Sequence, residues 1–369
     1  IVEIDICRLV FFLPMSPRRS RRHKLPLEPI EVNVESLSHE GRGVARIDGK
    51  VAFIDGALAG ETVLARYVHA RSQFDVLSAE QILLSSDARV ASDCPVSDIC
   101  GGCSLRHMHP NQQLEVKQEM LLDLLRHSTG LTSGDFELLP KLAADTSHYR
   151  RKARLAVRYV QKKGGALVGF REKHSSFITV MDDCRVLVSE VSTLINSLKN
   201  LISSLSSAAD IPQIEVAAGE TEPDPGAPLE IALIFRHLKP LTPADQNALI
   251  QFASEHQIHC YLQPGGLDSV HRVYPDSGRE RLAYYLPGQQ VQYVFHPMDF
   301  TQINGPINRQ IVSTVVELMA VQPGERVLDL FCGLGNFTLP LARQGAQVVG
   351  VEGSQAMVER GYENADLNG

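Results

Sequence analysis

The chain lacks any apolar run close to the roughly 20 residues that span a bilayer. The longest run near the start, Leu9 to Leu13, is ended by Pro14. Its acidic residues precede it and its basic residues follow it, the reverse of a secretory signal. Internal repeats are also absent, which excludes a repeat architecture. These absences predict a soluble, cytoplasmic protein with no membrane contact.

Composition excludes a disordered chain, since 44% of the 369 residues are hydrophobic and 21% are charged. This length predicts two or three domains. The net charge of −7 is uneven, because residues 1–24 carry +4 and the remainder carries −11. A basic arm on an acidic body suggests contact with a polyanion through one face. A solubilising tail is the alternative.

Both ends of the sequence are unusual. The chain starts at Ile1, whereas Met15 opens a stretch that resembles a natural start, so we expect residues 1–14 not to be native. The chain stops at Gly369 in the middle of an α/β pattern, so we expect a C-terminal domain that is truncated.

The patterns predict an α/β multidomain protein: a basic arm over 1–28, a β-barrel over 29–90, a central α+β domain over 91–295, and a truncated Rossmann-like domain over 296–369. About five short strands with glycine turns, such as Asp48-Gly49, favour a barrel of the OB kind over residues 30–84. An accessory β-domain without a binding role is the alternative.

Periodicity predicts the remaining elements. Helices are expected at 111–127, where the leucines form a stripe, and at 187–205, 243–255, 307–320 and from 336 onward. Strands are expected at 153–160, 167–170, 177–180, 230–236, 258–262, 326–331 and 346–351.

Three of the seven cysteines form a ligand-like cluster, Cys94-x5-Cys100-Gly-Gly-Cys103, and Cys184 is the nearest candidate for a fourth ligand. Thiols this close in a reducing compartment favour a metal over a disulfide. Three local ligands and one remote one lean toward an iron–sulfur cluster, although zinc and unligated buried thiols stay open.

Two histidines and two further cysteines are expected to have structural roles and not to bind the metal. We expect His107 and His109 to lie in a loop or at the start of a helix, since four thiols already complete a site. Cys260 and Cys332 are expected to be small core residues rather than ligands.

The segment between Thr146 and Arg171 contains no acidic residue and many basic ones. Alternate strand residues share a face, so Lys152, Arg154 and Arg158 are expected to line up. Basic residues interleaved with tyrosines favour single-stranded or looped RNA. A charged edge strand that prevents aggregation is the alternative.

A nucleotide loop is predicted at Asp329 to Asn336, between a strand and a helix, where an open α/β sheet binds nucleotides. Thr338 replaces the third glycine of the dinucleotide fingerprint. Glu352 lies 19 residues beyond Gly333, at the end of the next strand, where its carboxylate can accept bonds from ribose hydroxyls. The loop is more similar to S-adenosylmethionine sites than to NAD sites. The segment Phe300 to Asn304 lies just before the helix at 307–320. Its side-chain amides are expected to reach the cofactor; the alternative is that Asn304 is an ordinary helix cap.

In this order, the basic start, the barrel, the cysteine set, Phe300-Thr301-Gln302-Ile303-Asn304 and Asp329 to Asn336 resemble RNA uracil-5-methyltransferases. The most similar subclass has a TRAM domain and a [4Fe–4S] cluster, and it methylates uracil 1939 of 23S ribosomal RNA. The resemblance covers residues 15–369.

The resemblance implies site residues and partners. It implies that Cys94, Cys100, Cys103 and Cys184 ligate the cluster, and that Gln302, Phe331, Asn336 and Glu352 contact S-adenosyl-L-methionine. It also implies 23S ribosomal RNA as the partner of a protein that we expect to be a monomer.

The family's chemistry starts from a cysteine thiolate that adds to uracil C6, so that C5 can attack the methyl group before a carboxylate removes the C5 proton. The resemblance places that cysteine and that base beyond residue 369, which implies an inactive fragment. The alternatives are another rRNA or tRNA uridine, a radical methylthiotransferase, or a non-catalytic iron–sulfur RNA-binding module.

Overall fold

A computed structural model describes residues 25–224 and 226–369. Residues 1–24, which include most of the basic arm and the disputed residues 1–14, lie outside this range. The described chain forms two compact units, one with residues up to 36 and 42–85, the other with 37–41 and 86–369. No helix in the described ranges is long and apolar enough to cross a membrane.

The first unit is all-β, as the glycine turns predict. One sheet has the strand order β1-β5-β6-β4-β3-β2, and β4 and β6 run parallel to each other. Asp48 and Gly49 both have positive φ and close the β3–β4 hairpin, which confirms the predicted turn. The strands are β1 (Ile30–Asn33), β2 (Ser36–Leu37), β3 (Gly43–Ile47), β4 (Lys50–Asp55), β5 (Thr62–Ala70) and β6 (Phe74–Leu84).

The second unit is built on a mixed sheet with the order β12-β11-β10-β9-β7-β8. Its strands are β7 (Lys152–Val160), β8 (Gly165–Gly169), β9 (Gln213–Glu220), β10 (Leu229–Arg236), β11 (His259–Gln263) and β12 (His271–Tyr274). Four helices precede or connect these strands: α1 (Pro110–Thr129), α2 (Ser189–Ser192), α3 (Ile195–Ser204) and α4 (Pro243–Glu255).

The two faces of this sheet are covered differently. Side chains alternate between the faces, so Leu155, Phe235 and their neighbours pack with α3 and α4 in the largest hydrophobic core. On the opposite face, Tyr261 and its neighbours pack with the antiparallel hairpin of β13 (Leu282–Leu286) and β14 (Val291–Phe295). This second core positions the hairpin beside the elements that follow it.

Those elements are α5 (Gly305–Met319), β15 (Arg326–Leu330), α6 (Thr338–Arg343), β16 (Gln347–Val351) and α7 (Gln355–Asn368). The strands β15 and β16 pair in parallel, as a βαβ unit requires, which confirms the predicted alternation. The loop between β15 and α6 therefore lies at the carboxyl end of a parallel pair.

The helix expected at 111–127 is confirmed as α1, although it buries no residue and Leu121 and Leu124 are 55% and 62% exposed. Two expectations about elements were wrong. Residues 177–180 form only an isolated bridge through Ile178. The helix expected at 187–205 is divided into α2 and α3 by a turn at Thr193 and Leu194. Local periodicity does not specify what packs against each segment.

Candidate functional site

The loop after β15 has an unusual backbone. Phe331 has a φ of +61°, a left-handed conformation that is rare for residues other than glycine, and its side chain is 89% exposed. Gly333 and Gly335 also have positive φ, which glycine adopts without steric cost. Strained residues of this kind concentrate at binding sites. The loop thus presents an aromatic ring to solvent where a parallel sheet binds nucleotides.

Glu352, one residue beyond β16, reaches across to this loop. The Gly333 amide donates to its Oε2 at 3.1 Å, and the Ser354 amide donates to its Oε1 at 3.0 Å. Each carboxylate oxygen keeps a further lone pair that can accept a hydroxyl proton. The predicted acid is therefore held rigidly beside the glycines and still has acceptor capacity.

Asn336 closes the loop and is held by two other elements. Tyr284 of β13 donates its hydroxyl proton to Asn336 Oδ1 at 3.0 Å. The amides of Asn336 and Asn308, on α5, bond reciprocally at 2.9 and 3.1 Å. Tyr293 stacks on Tyr284 at a centroid distance of 4.5 Å and donates to the Gly335 carbonyl at 2.9 Å. Burial raises the pKa of Tyr284 well above its ordinary value, so its hydroxyl stays a donor.

Gln302 lies next to this network. It lines a small pocket together with Tyr284 and Asn308, the two partners of Asn336. Asn304 caps α5 instead, since its Oδ1 accepts the Ile307 amide at 3.1 Å. The cap interpretation is thus correct for Asn304, while Gln302 faces a cavity. Sequence reasoning missed Tyr284, Tyr293 and Asn308.

The four cysteines expected to bind a metal line one cavity. Cys100 and Cys184 are buried, and Cys94 and Cys103 are half-buried. Gly102 is required here, because a Cβ atom would lie 2.9 Å from the Phe170 ring and 3.4 Å from Cys100 Sγ. Its amide donates to Cys100 Sγ at 3.4 Å.

The protonation of these thiols depends on their surroundings. Burial, with the neighbouring Cys184 thiol, raises the pKa of Cys103 to about 11, and burial likewise raises the pKa of Cys184. Cationic metal centres offset this effect by binding the thiolate form. Among the described residues, no three or more His, Cys, Asp or Glu side chains are grouped closely enough to hold a single metal ion.

Two known protein families match parts of this chain. The TRAM domain matches residues 28–74, and the tRNA (Uracil-5-)-methyltransferase family matches residues 266–369. The 23S rRNA (uracil(1939)-C(5))-methyltransferase RlmD of Hahella chejuensis is 49% identical over 349 residues, which are 95% of this chain and 76% of that protein. The RlmD of Alcanivorax borkumensis is 48% identical, over 94% of this chain and 76% of that protein.

The chain belongs to the RlmD family. A solved structure of tRNA (uracil-54, C5)-methyltransferase from Pyrococcus abyssi, in complex with S-adenosyl-L-homocysteine, has the same fold. Its TM-score is 0.66 at 22% identity, over 92% of this chain and 76% of that one. The N-terminal TRAM domain and the Rossmann-like methyltransferase fold that the sequence predicts are therefore correct.

The basic strand of this RlmD-family chain is β7, and two of its three aligned basic residues have partners within the chain. Lys152, Arg154 and Arg158 do share a face. Lys152, however, is largely enclosed and donates to the Asp299 carbonyl, and burial lowers its pKa. Arg154 pairs with Glu215 at 2.8 Å. Alternation identifies the face of a strand but not what covers each part of it.

Of the other residues given structural roles, Cys260 lies in the core and His109 at the start of a helix, as predicted, whereas Cys332 is half-buried and not a core residue. Cys260 is fully buried, and burial raises its pKa to about 12. Burial and the nearby carboxylates raise the pKa of Cys332, whose Sγ packs against Gly350. His109 caps α1, since its Nδ1 accepts the Asn111 amide. Neither His109 nor His107 lines the cysteine cavity.

Replacing Tyr284 with phenylalanine is expected to lower the free energy of unfolding by about 1 kcal/mol, because the partner oxygen of Asn336 loses a buried donor. Urea denaturation followed by circular dichroism measures this change. Tyr285→Phe is the control, since that hydroxyl makes only two long bonds, to the Thr221 carbonyl at 3.3 Å and from the Gln292 amide at 3.4 Å. Equal stability of the two variants would contradict the role given to Tyr284.

Proposed function

We propose that this RlmD-family chain is part of an enzyme that methylates C5 of uracil 1939 in 23S ribosomal RNA with S-adenosyl-L-methionine. The observation that carries the proposal is the loop between β15 and α6, with Glu352 bonded to Gly333 across it. A bound S-adenosyl-L-methionine supplies an electrophilic methyl group on a sulfonium. We propose that the enzyme acts on RNA in the cytoplasm and is a monomer.

We assign the cofactor contacts by the chemistry of each side chain. Glu352 is the acceptor for the ribose hydroxyls, because its carboxylate is fixed and keeps free lone pairs. Phe331 offers a ring on which an adenine can stack, and that ring is the most exposed large apolar side chain in the described residues. Asn336 and Gln302 supply amides next to Tyr284 and Asn308.

We propose that Cys94, Cys100, Cys103 and Cys184 hold a [4Fe–4S] cluster. Four thiols around one cavity are the donor set that would hold such a cluster. The cluster would tie the loop at 94–103 to the segment before α2.

Among the residues that the structure describes, the two thiols outside this cavity do not suit the role of nucleophile. Cys260 has no access to solvent, and the surroundings of Cys332 disfavour its thiolate. We therefore assign neither of them to the addition at uracil C6.

The reaction is tested with 23S rRNA that carries tritium at uridine C5, since C5 methylation releases that atom. A gene product that contains this chain is expected to release tritium only when S-adenosyl-L-methionine is present. A transcript with cytosine at position 1939 is the control and is expected to release none at that site. Equal release from both transcripts would assign the activity to another uridine, and no release from either would refute the proposal.

A further inference from the structure

One end of the second face of the central sheet is not covered by the β13–β14 hairpin. There Gln213 of β9, Arg236 of β10 and Gln263 of β11 are direct cross-strand neighbours. The adjacent row on the same face begins with the Arg154–Glu215 pair and continues into the apolar residues under the hairpin. This face of the sheet is thus apolar and covered under the hairpin, and polar and exposed at this end.

This polar end forms a depression of about 300 Å³, with Gly265 and Gly266 among its lining residues. Glu215 accepts bonds from Arg154 at 2.8 Å and from the Gln213 amide at 3.0 Å, so those three polar groups satisfy one another. Arg236 is exposed and has no hydrogen bond or ion pair through its side chain within residues 25–224 and 226–369. The lining therefore has one uncompensated positive charge.

Gln263 supplies an independent reason to expect a ligand. Its side chain lines the depression although the residue is only 4% exposed. Its Oε1 is buried and accepts no hydrogen bond from any residue that the structure describes. Buried carbonyl oxygens are nearly always bonded to protein or to ordered water, so a donor from outside the described residues, a water or a ligand, completes this site.

We infer that this depression binds one nucleotide of single-stranded RNA, with its phosphate on Arg236 and with a hydroxyl or N–H of the same nucleotide donating to Gln263 Oε1. The inference rests on the proposed function, because it takes RNA as the ligand. An arginine matches the geometry of phosphate oxygens, and the paired glycines leave the part of the rim next to Leu267 without side chains.

The site extends naturally along β7. Arg158 lies on the same face as Arg154, four residues further on, a distance of about 13 Å along a strand. Arg158 also has no side-chain bond or ion pair among the described residues. It offers a second phosphate contact for the same strand of RNA.

Fluorescence anisotropy with a labelled single-stranded RNA, copied from 23S rRNA around uracil 1939, tests the inference. Arg236→Gln is expected to weaken binding about fivefold and to lower the slope of log Kd against log salt by about 0.7, one phosphate contact. Gln263→Leu is expected to weaken binding about three- to tenfold with the slope unchanged. Lys239→Gln is the control, since it removes an exposed charge that pairs with Asp210 instead.

The source of the donor is resolved with DNA of the same sequence. If a ribose hydroxyl donates to Gln263, Gln263→Leu loses the preference for RNA; if a base donates, RNA and DNA lose affinity equally. An Arg236→Gln variant with the affinity and slope of Lys239→Gln would overturn the inference and leave the proposed function intact. A wild-type chain with no affinity for the RNA would instead refute both. Arg236 is exposed, so its replacement is expected to leave folding unchanged.

Discussion

Replacing Cys100 with serine is expected to remove the iron from this chain. The wild-type chain, purified without oxygen, should contain about four irons and four sulfides and show a broad visible absorption band. Cys100 is buried at the cavity that it shares with Cys94, Cys103 and Cys184. A serine hydroxyl is a much poorer ligand for this centre than a thiolate, so the variant should be colourless.

Iron and sulfide analysis beside the absorption spectrum measures this effect. Cys332→Ser is the matched control, because Cys332 is a free thiol in the loop after β15 and does not line the cavity. It should keep its iron. Stoichiometric zinc in a colourless wild-type chain would contradict the cluster, as would equal iron in the two variants.

The loss of the cluster should also lower stability. Cys184 lies far along the chain from Cys94 to Cys103, and a centre that binds all four ties these segments together. Binding to the folded state alone stabilises it by mass action. The Cys100→Ser variant should therefore melt at a lower temperature than Cys332→Ser, as followed by circular dichroism.

Parts of the candidate sites were predictable from sequence where the residues are close along the chain or follow consecutive strands of one βαβ unit. Gly333 and Glu352 follow consecutive strands of one βαβ unit, and parallel strands bring their carboxyl ends to the same edge. Cys184 could be chosen as a fourth ligand because few other cysteines were available. In these cases, chain order alone restricts where the side chains lie.

What the sequence did not predict depends on contacts between distant elements. Tyr284 and Asn308 hold Asn336 only because the β13–β14 hairpin packs on the central sheet and α5 packs beside it. Lys152 is enclosed for a related reason, since residues near Asp299 cover that end of β7. Alternation and helical periodicity report the face of a residue, but the partner of that face is a tertiary property.

Replacing Glu352 with alanine is expected to weaken the binding of S-adenosyl-L-homocysteine about a hundredfold. Two hydrogen bonds from ribose hydroxyls to a carboxylate contribute about 3 kcal/mol together. The change also removes the acceptor of the Gly333 amide, so the loop loses its tie to the end of β16. Isothermal titration calorimetry measures the affinity directly and needs no turnover.

A graded series separates the carboxylate's direct contacts from its support of the loop. Glu352→Gln keeps one acceptor oxygen but loses the charge, so its affinity should lie between those of the wild type and Glu352→Ala. Glu359→Ala is the control, because that exposed carboxylate on α7 bonds only to Gln355. If Glu352→Ala bound the ligand as tightly as Glu359→Ala does, the assignment of Glu352 to the ribose hydroxyls would be wrong. If the wild-type chain bound none, the assignment of this loop to the cofactor would fail as well.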